Sequence, residues 1–74
     1  MNKKEARNKL LLRREVAKSR LLEIGVIHKP LLKFNKKYPE IEYKQLRRFW
    51  YSSSISLEFV VKLEAFVSFC ENEY

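Results

Sequence analysis

Tyr43, Lys44, Gln45, Arg47 and Arg48 fall within six consecutive positions, with Glu42 just before them and Tyr51 just after. The group holds no nucleophile beside a base. Its common property is a capacity to meet a polyanion. Arg and Lys neutralise phosphates, Gln presents a donor beside an acceptor, and Tyr carries a hydroxyl on an apolar ring. Interleaved with these residues are Leu46, Phe49 and Trp50, which a folded chain buries. At about 100° per residue, a helix sorts the two sets onto different sides, with Tyr43, Lys44, Arg47, Arg48 and Tyr51 outward. The plain alternative is a solvated face with Trp50 in the core and the tyrosines at its boundary. Charge distribution favours the polyanion: basic residues concentrate here and in the preceding "KFNKK", whereas acidic ones gather towards the C-terminal "ENEY".

Composition narrows the classes further. Sixteen Lys and Arg against nine Asp and Glu give a formal charge of +7, which suits a phosphate-bearing partner. A single cysteine, Cys70, excludes an internal disulfide and every multi-cysteine zinc pattern. Lying among Phe66, Val67 and Phe69, it reads as a small buried hydrophobe. The lone His28 precedes Lys29-Pro30 without further ligands around it, and reads as a loop or helix-start residue. Paired carboxylates, an activated nucleophile and a glycine-rich phosphate loop are missing. The expectation is therefore a protein that is not an enzyme, with no cofactor, metal or small-molecule substrate. No apolar run has membrane-spanning length and the charged N-terminus resembles no signal peptide, so a soluble cytoplasmic chain without membrane contact is expected.

Seventy-four residues make one domain, spanning 1–74, and scarce Gly and Pro favour helices with short links. The first helix is expected from Asn2, its cap, to about Ile24, with Ala6, Leu10, Ala17, Leu21 and Ile24 on one stripe and Leu11 and Leu22 opposite. Its polar start, within residues 1–10, reads either as a frayed turn or as a flexible basic arm. Gly25 stops it. A second helix follows from about Lys29 to Tyr38, with Pro30 in its first turn, Leu31, Phe34 and Tyr38 on one face, and Pro39 closing it. The third runs from about Glu42 to Tyr51, and the serines 52–54 favour a turn. The segment 56–71 fits both an alternating strand and a helix with Phe59, Val60, Leu63, Phe66, Val67 and Cys70 on a stripe. About sixteen residues without a turn signal decide for helix. Leu57, Val61 and Phe69 lie off that stripe, which suggests burial against a second copy in a homodimer.

The run "KPLLKFNKKYPEIEYKQLRRFWYSSSISLEFVVKLEAFV", about half the chain, resembles the helix-turn-helix of lambda-repressor/Cro-like (XRE-class) domains. Ile41, Leu46 and Phe49 stand at that family's apolar spacing, and a polar loop and an apolar helix follow. The turn departs from the family pattern: it offers Glu40 in place of the frequent Gly. The resemblance implies an all-α, small four-helix domain with its helix-turn-helix at 29–51 and a C-terminal helix at 56–71. It implies sequence-specific binding of double-stranded DNA, as a small repressor-type transcriptional regulator. Carried over position by position, the base-reading residues are Glu42, Tyr43, Lys44, Gln45, Arg47 and Arg48. Lys29, Lys33, Lys36, Lys37 and Tyr51 become candidate contacts to the DNA backbone. Two other readings stay open. One is a helical interaction or assembly protein without nucleic acid; the other is an RNA-binding module using Tyr and Arg on unpaired bases.

Overall fold

The computed structural model describes residues 2–26 and 28–73; Met1 of the expected arm and Tyr74 of the acidic tail lie outside them. Four helices follow one another: α1 (Lys3–Glu23), α2 (Pro30–Lys37), α3 (Tyr43–Tyr51) and α4 (Leu57–Glu73). The expected all-α, four-helix domain is what the chain forms, with boundaries within two residues of those read from the sequence. Among the described residues no helix is long and apolar enough to cross a membrane.

Each boundary has a local cause. Asn2 caps α1 by accepting the Glu5 amide at 2.8 Å, so helix begins at Lys3 within the segment that could have been a flexible arm. At the other end Gly25 takes φ 87°, and its amide and that of Val26 return to the Leu22 and Leu21 carbonyls. This pairing makes the turn after a helix fold back, and it packs the residue after the glycine against the last apolar turn. Val26 and Leu21 are accordingly both buried. Lys29, ahead of Pro30, takes left-handed φ 51°, an unusual conformation for a lysine. In the link from α2 to α3, Asn35 Nδ2 donates to the Ile41 carbonyl at 2.7 Å, so a side chain fastens this glycine-free turn. Ser56 caps α4, its hydroxyl accepting the Phe59 amide at 3.2 Å. α4 is helical throughout, so the alternating pattern was no strand.

α1 and α4 lie side by side in the same direction. Arg13 pairs with Glu64 and Arg20 with Glu71, and both pairs are separated by 51 residues. α2 packs on α3 and on α4. At the centre Phe34 is wholly buried. Its ring meets Phe66 at 5.3 Å and Phe59 at 5.8 Å between centroids, both edge-on, the arrangement aromatic quadrupoles prefer. All six residues of the α4 stripe are buried. Ala6, expected on the α1 stripe, is exposed. The constant offset of 51 residues sets Ala6 level with Leu57, where α4 begins, so little of α4 extends far enough to cover it.

Candidate nucleic-acid interface

α3 is anchored from beneath. Leu46 and Trp50 are buried and Phe49 is half-buried, its ring 5.3 Å from that of Phe59. The far end of the helix is held by α1. Arg14, only 8% exposed, donates from Nη1 to the Phe49 carbonyl at 2.8 Å and to the Ser52 carbonyl at 2.6 Å. Lys18 Nζ donates to the Trp50 carbonyl at 3.3 Å. The final carbonyls of a helix lack intrahelical partners and carry partial negative charge, so two cations there satisfy hydrogen bonds and oppose the dipole. Burial pushes the Lys18 ammonium below its ordinary range, and Glu15, 3.8 Å away, partly offsets this. The Glu15 carboxylate also accepts from Arg14 Nε at 2.8 Å. No buried side-chain polar atom among the described residues lacks a partner.

Sequence reasoning missed this clamp. Arg14 stands on the apolar stripe between Leu10 and Ala17, at helical spacing, and an arginine there is the available signal of a buried partner.

With its underside fixed, α3 turns Glu42, Tyr43, Lys44, Gln45, Arg47, Arg48 and Tyr51 to solvent. Tyr43, Arg47 and Tyr51 fall one turn apart along one row, and Lys44 and Arg48 form the next. Among the described residues, none of Lys44, Arg47 and Arg48 pairs with a carboxylate. Gln45 stands apart from the rest: it lines a hollow with Ile41, Phe49, Ser56, Glu58 and Phe59, on the flank facing α4.

Lys29, just before α2, and Lys33, Lys36 and Lys37 within it spread over two flanks. All four are exposed. Lys29 shares a hollow with Leu32, Tyr43 and Tyr51, beside the row of α3. Lys37 is drawn to the other flank, its ammonium 4.0 Å above the centroid of the Phe69 ring. Lys33 and Lys36 stand between the two flanks: they line that groove with Lys37, Phe66, Cys70 and Glu73, and they also border a hollow with Lys29 and Leu32. The cause is helical spacing: positions 33 and 37 lie one turn apart, opposite Asn35, which faces the α2–α3 link.

The residues expected at a dimer contact are all exposed, but they do not share one side. Leu57 and Val61 lie in line on α4, whereas Phe69 sits about 80° round from Val61, under Lys37. Exposed Leu12 and Val16 of α1 fall, by helical spacing, on the outer side of the α1–α4 seam, and sequence reasoning did not single them out. Cys70 is buried as expected. Among the described residues no three His, Cys, Asp or Glu side chains are grouped to hold a metal ion. No family model, curated protein or solved structure matches this chain.

Proposed function

We propose that the chain binds double-stranded DNA by laying the outer side of α3 in the major groove, as a cytoplasmic homodimer acting as a small repressor-type regulator. The observation carrying this reading is that Lys44, Arg47 and Arg48 are uncovered and, among the described residues, without acidic partners, on a helix held from beneath and at its C-terminal end. An arginine can give two hydrogen bonds to guanine O6 and N7, and a lysine or tyrosine can reach phosphates. Lys29, Lys33 and Lys36 supply further phosphate contacts, and α2 opens without a side-chain cap, leaving amides to face a phosphate. The helix-turn-helix resemblance supports the same assignment. Two copies would meet through Leu57 and Val61, with Leu12 and Val16 alongside, which is how paired recognition helices span two half-sites.

The test is the double variant Arg47→Ala/Arg48→Ala, assayed by mobility shift against duplexes selected from a random pool. It should abolish specific binding while keeping the wild-type helical signal and melting temperature. Retained specific binding removes the recognition-helix assignment. A second reading, a helical assembly protein without nucleic acid, draws on the same exposed apolar residues; it requires that no duplex be selected at all.

A further inference from the structure

Between α3, the start of α2 and the end of α1 lie two adjoining hollows, of about 300 and 280 Å³. They share Pro30, Trp50 and Tyr51 as lining. The first is completed by Lys29, Leu31, Leu32 and Tyr43, and the second by Lys18, Leu21, Leu22 and Val26. No carboxylate lines either hollow among the described residues, and both sit at the lower end of ligand-site sizes. Tyr51 is 69% exposed, so one ring face stands open. Lys18 brings its ammonium within 5.6 Å of the Tyr51 centroid and 4.9 Å of the Trp50 centroid. Along α3, Tyr43 and Tyr51 are separated by about 12 Å at the ordinary helical rise, with Arg47 midway on the same row.

We infer that this groove binds unpaired nucleotides, with a base stacked on Tyr51, a second near Tyr43, and the connecting phosphates held by Lys18, Lys29 and Arg47. A ligand here must present a flat apolar face together with negative charge, because the lining is aromatic and aliphatic and its charged members are cations. A nucleotide chain has both. Aromatic rings accept any base, since every base has a π-face, and cations along the groove follow the backbone. Duplex DNA keeps its faces stacked inside and cannot use the groove in this way. The groove shares Lys29, Tyr43, Arg47 and Tyr51 with the recognition-helix reading, and the comparison of single strand with duplex tells the two apart.

Trp50 makes the test direct. It is the chain's single tryptophan, it lines both hollows, and it is 7% exposed, so its emission reports on the groove. Wild-type protein is titrated with a short oligothymidylate, a short oligouridylate, a hairpin duplex and polyglutamate. Single strands should change Trp50 emission saturably. Tyr51→Ala should weaken that binding roughly tenfold or more, and Tyr51→Phe, which keeps the ring, should preserve it. An unchanged melting temperature checks folding of both variants, as Tyr51 is exposed. Single strands without effect on Trp50, or bound equally well by Tyr51→Ala, overturn the inference. So does an equal, Tyr51-dependent response to the duplex, which would make the groove part of the duplex contact. An equal response to polyglutamate, which has charge without rings, also overturns it.

Discussion

Adjacent arginines, Arg13 and Arg14, should differ sharply in what they contribute. Arg14→Met keeps an unbranched side chain of similar reach and deletes the donors that hold the Phe49 and Ser52 carbonyls. A hydrogen bond from a charged donor is worth about 1.5–3 kcal/mol. Favourable charge at a partly buried helix C-terminus adds up to about 2 kcal/mol. Water entering the end of α3 would recover part of both, so the net loss should be about 2–4 kcal/mol. A domain of 74 residues has about 4–11 kcal/mol in all. With 4–8 °C per kcal/mol at this size, the melting midpoint should fall by roughly 10–30 °C. Thermal melts followed by circular dichroism read this directly. Arg14→Lys, which keeps the charge but reaches fewer carbonyls, should fall between the two. Arg13→Met is the control: its partner Glu64 is solvent-accessible on the surface seam, and exposed pairs contribute little, so its midpoint should barely move. An Arg14→Met midpoint within a few degrees of wild type would refute the clamp, and with it the claim that α1 fixes the end of α3.

Other outcomes follow from individual contacts. Val61→Lys should turn a dimer into monomers in sedimentation and weaken duplex binding; an unchanged mass dismisses the Leu57–Val61 contact. The Arg13 guanidinium, hydrogen-bonded to Glu64, holds that carboxyl below its ordinary value of 4.5. The folded value is the lower one, so the stabilisation is complete above the unfolded value and disappears as pH falls through the folded value. Glu64→Gln should remove this small acid limb from a plot of midpoint against pH, and an identical limb in the variant would count against the pairing. Burial raises the Cys70 thiol above its ordinary range, so a thiol reagent should label it slowly in the native protein and rapidly in denaturant. Fast native labelling would place it outside the core. Lys29→Gly, at a left-handed position where glycine is unstrained, should leave stability at least level while lowering the salt slope of duplex binding by about 0.9.

Much of the fold was legible because burial repeats at helical spacing. Six α4 positions, Phe59 to Cys70, mark one stripe, and all six are inside. Gly25 announced its own stop, and the apolar Val26 after it carried a readable sign of the folded-back turn. What stayed hidden depends on partners far away in the chain. The place of Arg14 on the α1 stripe sets it apart from Arg13 but does not name its partners, since the carbonyls it holds lie 35 and 38 residues on. The exposure of Ala6 depends on how far α4 extends beside α1. Lys37 looked like one of four equivalent lysines, and only the packing of α2 on α4 sets it above Phe69. For the candidate interface, the split between buried Leu46 and Trp50 and exposed Lys44, Arg47 and Arg48 was visible in the sequence. The groove beside it was not, because α1, α2 and α3 each contribute part of its wall.

The central claim, that the cationic side of α3 and the lysines of α2 engage duplex phosphates, is tested most directly by salt. Fluorescence anisotropy of a labelled duplex selected by the protein gives affinity as ionic strength rises. With about five phosphates neutralised, the log–log slope should be about −4.5. An affinity flat across the same range, or the lack of any selectable duplex, would contradict the account.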